Sequence, residues 1–377
     1  MSIVKFSDVA HRANTKEDRF NTDKIYYVGG EHIDSNELFV ISKGIIKGST
    51  IGPMFYCGFT SGQILFVTRN PHLRKCGIVD FDGICSEKTF VIESKDTTKL
   101  SQEYLAIIMQ SDEFWNYCEE NKSGGVNYFL NWSTLADYEF ELPPIQIQEE
   151  IAEKVMSAYR LKQSYQKLLT ATDEMVKSQF IEMFYGRETT PAKEYLEDSY
   201  PGEWGTEDND GNGVKVIRTT NFTNTGKLNL EDVVTRNIEE RKVTRKQIRK
   251  FDTILERSGG TTDNPVGRVV LFEDEGQYLC NNFTQVLRFK DIDPRYAFYA
   301  LYFFYQTNKT AIRSMGSKTT GIQNLNMSKY LEIGIPNATQ DEQNDFVRIA
   351  EQADKSKFEL RKSIDAIDAV IKSLING

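Results

Sequence analysis

From Ile151 onward, seam positions recur in alternating steps of four and three: Ile151, Val155, Ala158, Lys162, Tyr165, Leu169, Thr172, Val176 and Gln179. That alternation is the pattern of a coiled-coil helix. The same seam returns near the end of the chain as Phe346, Ala350, Ala353, Lys357, Leu360, Ile364, Ile367, Ile371 and Leu374, each 195 positions after its counterpart. Both seams place a lysine at the same step. A polar seam residue can fix register at a cost in stability, and a lysine can equally carry its ammonium out along an imperfect seam to water. A second stripe, Leu161, Leu168, Met175 and Met183, widens the apolar face of the first helix. It predicts packing against more than one neighbour. A helix of about 35 residues is roughly 50 Å long and needs a partner. The obvious partner is the other copy, and antiparallel pairing would make a rod with one globular domain at each end.

The segments before each helix follow another pattern. Ile25-Tyr26-Tyr27-Val28, Gln63-Ile64-Leu65-Phe66-Val67 and Thr89-Phe90-Val91-Ile92 are β-branched and aromatic runs that predict strands. Leu105, Ile108, Met109 and Trp115 predict one helix from Tyr104 to Cys118. Leu142-Pro143-Pro144 closes this region, since proline removes a ladder donor. Residues 214–335 repeat the order more loosely. Val28, His32 and Ile33 match Ile217, Asn221 and Phe222 at an offset of 189, and Asn131-Trp132-Ser133 matches Asn326-Met327-Ser328. The predicted fold is mixed α/β (α+β): two pseudo-repeated domains separated by two long antiparallel coiled-coil helices. Its parts are domain 1–141, helix 142–185, a glycine- and proline-rich acidic linker 186–213, domain 214–335 and helix 336–377. A unit present only twice is not a solenoid; it implies a pseudo-two-fold molecule.

Composition narrows the class. The chain has 377 residues, enough for sizeable cores, and no apolar stretch that reads as a signal or a membrane span, so a cytoplasmic protein is expected. The five cysteines (Cys57, Cys76, Cys85, Cys118, Cys280) show no C-x-x-C spacing and form no cluster with His11, His32 or His72. Buried thiols are expected, with no metal site. The net charge of −9 argues against indiscriminate polyanion binding but leaves room for a locally basic face.

Catalytic signatures are missing. Gly316-Ser317-Lys318-Thr319 lacks the spacing of a phosphate loop, and Asp263-Asn264-Pro265-Val266 only partly matches an adenine-methyltransferase motif. Binding signals are better. Arg236, Arg241, Lys242, Arg245, Lys246, Arg249 and Lys250 face only Glu239 and Glu240 in their stretch. On a helix the steps of four would form one basic stripe suited to phosphates, or an ordinary solvated face. Three glycine-flanked polar segments are candidate base readers: Lys122-Ser123-Gly124-Gly125-Val126-Asn127-Tyr128, its counterpart Ser317 to Asn324, and Arg257-Ser258-Gly259-Gly260-Thr261-Thr262. Arginine can pair with guanine, and asparagine or glutamine with adenine; plain turn chemistry is the alternative. The candidate DNA contacts are Lys122, Asn127, Tyr128, Arg257, Ser258, Lys318, Thr319, Gln323 and Asn324, the stripe residues Arg241, Arg245, Lys246 and Arg249, and Arg69, Arg74, Lys75, Arg218, Thr220 and Asn221.

Over its whole length the chain resembles the specificity subunit of type I restriction–modification systems. The matching residues are Leu142-Pro143-Pro144 with Gln148-Glu149-Glu150-Ile151-Ala152, Lys177-Ser178-Gln179-Phe180, Ile335-Pro336, Gln343, Glu351 to Phe358, Gly213 to Phe222, and Asp252 to Gly259. The resemblance implies two target-recognition domains, each reading half of a split, asymmetric site on double-stranded DNA. It implies that the helices set the gap and dock two methyltransferase subunits, through which a restriction (motor and nuclease) subunit joins. Catalysis, with S-adenosylmethionine, ATP and magnesium, would then lie in those partners, and this chain would hold no cofactor and no catalytic residue. One departure is the spacing after proline: six residues from Pro336 to Gln343 against three from Pro144 to Gln148. A two-domain nuclease with scattered carboxylates, or a coiled-coil scaffold without nucleic acid, are the alternatives from other classes.

Overall fold

In the computed structural model, which describes residues 2–261, 264–319 and 322–377, two long helices dominate. The first is Ile145–Phe184 and the second Gln340–Asn376. The prolines at 143 and 144 end the strand Glu139–Leu142 and launch the first helix. Thr339 caps the second: its hydroxyl accepts the Glu342 N–H while Glu342 accepts the Thr339 N–H, a reciprocal pairing that satisfies two otherwise orphaned donors. Arg187 grips the same carboxylate at 2.7 and 2.9 Å and holds it at about 2, well below the usual carboxylate range. No helix among the described residues is long and apolar enough to cross a membrane.

The chain divides within both helices. One unit comprises residues 1–168 and 360–377, the other residues 169–359. Every seam position named above is buried or half-buried. In the first unit Ile371 joins Val155, Met156 and Tyr159 in a core that also takes Ile151, Ile367 and Leu374 at its margin. In the second unit Phe346 packs on Phe180 and Phe184, with ring centroids 5.1 and 5.9 Å away. Asp173 there meets Lys357, so the two helix segments run antiparallel. The second stripe does not widen the buried face: Leu161, Leu168 and Met175 are exposed, and Met183 alone is half-buried.

The seam lysines stay inside. Lys162 is bonded to Glu37 at 2.6 Å and Asp368 at 2.8 Å, and Lys357 to Asp173 at 2.6 Å and Asp354 at 2.8 Å. Each ammonium thus ties one helix to the other, which favours register over snorkelling. Burial pulls both groups toward neutrality, but the carboxylates outweigh it and leave both raised above the ordinary lysine value. The stabilisation is therefore complete below the unfolded lysine pKa of about 10.4 and fades as pH rises through the folded value. Lys162→Met or Lys357→Met should lower stability at neutral pH by about 1 kcal/mol, since the partner carboxylates keep partial access to water. Urea denaturation should show the gap from the parent closing above about pH 10; a gap independent of pH would contradict this role.

The two units repeat one topology. The first has an antiparallel sheet in the order Ala10–Ala13, Thr89–Ser94, Ile64–Val67, Cys76–Ile78. The second has Leu196–Pro201, Thr284–Phe289, Thr253–Glu256, Val269–Leu271 in the same order. A further sheet in each contains one parallel pair, Tyr26–Val28 with Gly83–Ser86 and Val214–Ile217 with Tyr278–Cys280. The copies part at sheet edges. Among the described residues, Phe55–Phe59 flanks Gly83–Ser86 in the first with no counterpart beside Tyr278–Cys280, and Thr206–Glu207 is added in the second.

The repeated glutamines have a structural task. Gln148 is buried, accepts the N–H of Ser101 at 3.0 Å and donates to the carbonyls of Lys99 and Pro143. Gln343 is buried likewise, accepting the Asp293 N–H at 2.9 Å and donating to Ala338. Ser101 and Asp293 are the N-caps of Gln102–Ile108 and Pro294–Thr307. Each glutamine thus staples the start of a long helix to the capped end of a domain helix.

Two further expectations change. The single helix from Tyr104 to Cys118 is two, Gln102–Ile108 and Asp112–Glu120. Ser111 caps the second by accepting the Phe114 N–H, and Gln110 turns inward to donate to the carbonyls of Cys76 and Glu37. The stretch 186–213, expected as linker, carries Thr189–Pro191, paired with Gly334–Pro336, and the edge strand Leu196–Pro201. Backbone pairing stabilises these segments despite their prolines, which edge positions tolerate.

Candidate nucleic-acid interface

In the second unit the strand Thr253–Glu256 leads through Arg257 into Ser258–Gly259. That short strand pairs with Ile322–Leu325, which pairs with Gly316–Thr319. Two of the three candidate loops are thereby one small sheet. Arg257 is fixed from both sides: its N–H donates to the Phe283 carbonyl at 2.9 Å and its carbonyl accepts from the Leu325 N–H at 2.8 Å. Its side chain is half-buried and has no carboxylate partner among the described residues. Beneath it Glu256 is buried and accepts from the Arg268 Nε at 2.7 Å. Gln323 is half-buried on the neighbouring strand.

The first unit builds the same edge. Ser123 and Phe129 exchange both backbone hydrogen bonds at 2.9 Å and close the 124–128 loop. Phe129 also bridges Arg69, as Asn324, 195 positions on, pairs with Ser258. The Thr68 N–H donates to the Lys88 carbonyl at 2.9 Å, just as the Arg257 N–H donates to Phe283. The Arg69 guanidinium lies 5.2 Å over the Phe129 ring, and the Lys122 ammonium 4.4 Å over Tyr128 while paired with Glu119. Asn127 is exposed. The equivalence pairs Lys88 with Phe283, an exposed aromatic missing from the candidate contacts, and no local pattern in the sequence marks either residue.

Several candidates are committed elsewhere. Ser258 is buried and donates its hydroxyl to the Asn324 carboxamide oxygen at 2.7 Å, so this pair fastens the strands instead of facing outward. Asn221 is buried: its oxygen accepts the Arg218 N–H at 2.8 Å, and its amide donates to Asn229 and Asp232. It caps a short 3-10 turn as His32 does in the first unit. Arg74 pairs with Asp112, Lys75 donates to the Gly30 carbonyl at 2.6 Å, and Arg218 lies 3.5 Å from Asp232. Thr220 is exposed on the same turn as Asn221. The side chains of Lys318 and Thr319 lie outside the described residues, as do Thr262, Asp263, Thr320 and Gly321.

The basic stripe is interrupted. The helix spans only Glu240–Lys246, because Ile248 turns away to donate its N–H to Tyr278 and Arg249 donates its own to Asp252. Glu203 accepts from Lys242 at 3.3 Å and Lys246 at 2.9 Å, and those lysines, Lys246 first, hold its carboxyl below the usual range. Arg249 meets Glu197 at 3.8 Å and Lys250 meets Glu275 at 2.6 Å. Arg236 stacks over Trp204. Arg241 and Arg245 remain exposed, one helical turn apart, with no carboxylate partner among the described residues.

Among the described residues no three or more His, Cys, Asp or Glu side chains are grouped to hold a metal ion, and the five cysteines are buried thiols. Each unit offers a backbone-fixed edge with different side chains at equivalent places.

Comparison with known proteins agrees with this construction. The family model for the type I restriction modification DNA specificity domain matches residues 3–170 and again 201–367. The specificity subunit of the Escherichia coli type I restriction enzyme EcoDI is 26% identical over 149 residues, 38% of this chain and 33% of that protein. The match therefore spans about a third of the length of that relative. A chain from a structure describing assembly and conformational transition of the type I R-M system superposes with a TM-score of 0.58 at 15% identity, covering 99% of this chain and 96% of that one. The type I restriction-modification S subunit from M. genitalium superposes with a TM-score of 0.53 at 12% identity, covering 99% and 94%. With its domain model matched twice along one chain, the protein belongs to the type I restriction modification DNA specificity family.

Proposed function

We propose that this chain is the non-catalytic DNA-specificity subunit of a type I restriction–modification complex in the cytoplasm. Each unit reads one half of a bipartite, asymmetric site on double-stranded DNA. The single observation that carries this reading is the equivalent edge in the two units, built on the same backbone pairing but carrying Thr68, Lys88 and Tyr128 in one where the other carries Arg257, Phe283 and Gln323. Identical scaffolds with unlike side chains suit two different half-sites.

The long helices dock two methyltransferase subunits, and a restriction subunit joins through them. Leu161 and Leu168 in the first unit, exposed by 45% and 50%, and Met175 in the second, exposed by 45%, support this role. An exposed aliphatic row on a helix is a natural seat for a partner helix. S-adenosylmethionine, ATP and magnesium act in those partners. The nuclease and scaffold alternatives gain no observation in their favour.

The test is methylome sequencing of cells that express this chain with its methyltransferase subunit. One new bipartite motif carrying methylated adenine is the expected result. An assembled complex that adds no methylated motif would overturn the reading.

A further inference from the structure

The loop closed by Ser123 and Phe129 has five residues, and its middle one is neither polar nor glycine. Val126 is 93% exposed, the highest value among the exposed large hydrophobic side chains of the described residues. The loop is shaped to present it. Gly124 has φ +99°, and a Cβ there would come within 2.7 Å of the Asn127 carbonyl oxygen, so the chain turns too tightly for another residue. A Cβ on Gly125 would meet nothing within 4 Å, so the tip stands clear of the body. At the loop's base stand the two cation–aromatic pairs, Lys122 over Tyr128 and Arg69 over Phe129. An isolated exposed valine is unremarkable on an ordinary surface. Here it tops a loop whose base carries two cations, on the edge equivalent to the one that carries Arg257 in the second unit.

The chemistry of the major groove offers such a side chain one apolar partner. Among base edges there, only thymine presents a methyl group, and the other groups are donors and acceptors. Valine is β-branched and stiff at χ1, so its methyls are held in place without ordering a long side chain. Next to it Asn127 carries the carboxamide that matches adenine, thymine's partner in the same base pair. We propose that Val126 reads the 5-methyl group of a thymine in the half-site bound by the first unit. The inference rests on the DNA-reading role assigned above. In the second unit the offset of 195 sets Ile322, exposed by 44%, against Asn127 and Gln323 against Tyr128, and the counterpart of Val126 lies outside the described residues. Ile322 and Gln323 lie on a strand, where successive side chains face opposite ways, so the assignment is confined to the first unit.

The experiment uses the full chain assembled with its methyltransferase subunits and duplexes bearing the motif that the methylome defines. Each thymine is replaced in turn by deoxyuridine, which keeps the pairing and O4 but lacks the methyl. The parent complex should lose affinity about fourfold at one thymine of one half-site, the worth of a single buried methyl. Val126→Ala should bind the thymine and deoxyuridine duplexes alike at that position and keep the parent's response elsewhere. A half-site without thymine, no sensitive position in the parent, or sensitivity retained in Val126→Ala would overturn the inference while selective binding persisted. No preference for the motif over a scrambled duplex would instead overturn the reading beneath it.

Discussion

Replacing Asp252 by alanine destabilises the second unit by about 3–5 kcal/mol, the cost of stranding a buried charge. Asp252 and Arg288 are both buried, with the Arg288 Nε 2.9 Å from one carboxylate oxygen and its terminal nitrogen 2.6 Å from the other. The same carboxylate accepts the Arg249 N–H at 2.7 Å, and Arg288 also reaches the Tyr200 hydroxyl and the Gln247 carbonyl. Burial alone would pull the guanidinium down, and the bonds to Asp252 outweigh it and leave it raised. Alanine at 252 removes both charged bonds and leaves a cation between strands with only neutral acceptors. Replacing both partners by apolar residues, as in Asp252→Leu with Arg288→Met, should recover most of the loss, because no buried charge then remains. Urea denaturation of the three variants and the parent gives the coupling directly. A single-variant loss below about 1 kcal/mol would show that the pair is not the anchor of this sheet. The first unit provides an internal control. At the equivalent places Gln63 donates to Glu93 at 2.8 Å and both are half-buried, so Gln63→Ala should cost only about 0.5–1.5 kcal/mol.

That contrast explains why family motifs and site residues are easily confused in a sequence. Asp252 opens the stretch that runs through Arg257 to Gly259, yet it holds the strand through Arg288, while the half-buried Arg257 has no carboxylate partner among the described residues. The helical seams were legible because a period of four and three is local, and burial followed it at every step. Gln148 and Gln343 were legible as a repeat but not as staples, since their partners Ser101 and Asp293 lie about fifty residues upstream. The basic stripe failed for the same reason. Counting charges from 236 to 250 omits Glu203, which approaches Lys242 and Lys246 from outside that window. The helix from Tyr104 to Cys118 failed because apolar spacing continues across Ser111, and only the serine cap and the inward Gln110 reveal the break. The paired edge was visible only as separate polar loops. Its strands Ser258–Gly259 and Ile322–Leu325 are joined across more than sixty residues of chain, a pairing that no local pattern encodes.

The edge also predicts how binding energy divides. Arg257→Ala should reduce selectivity in one half-site by about 1–3 kcal/mol, the margin of one bidentate arginine–guanine pair. The backbone at 257 is held by Phe283 and Leu325 regardless of the side chain, so the alanine chain keeps the strand and loses only the fork. Arg241→Ala combined with Arg245→Ala should act differently. Those side chains stand on a two-turn helix without carboxylate partners among the described residues, and phosphate contacts position a protein without carrying sequence. Their joint loss should weaken binding to every duplex and lower the slope of log affinity against log salt by about 2. Lys246→Ala is expected to do less, because Glu203 already neutralises that ammonium. Competition binding settles the division when the assembled complex is offered duplexes with one half-site scrambled at a time, at several salt concentrations. An Arg257→Ala chain that loses equally on all duplexes belongs with the phosphate contacts, and an Arg241/Arg245 variant that discriminates between half-sites belongs with the readers. Since the two units present different side chains on one repeated edge, changes at Arg257 and at Asn127 should add, each confined to its own half of the site.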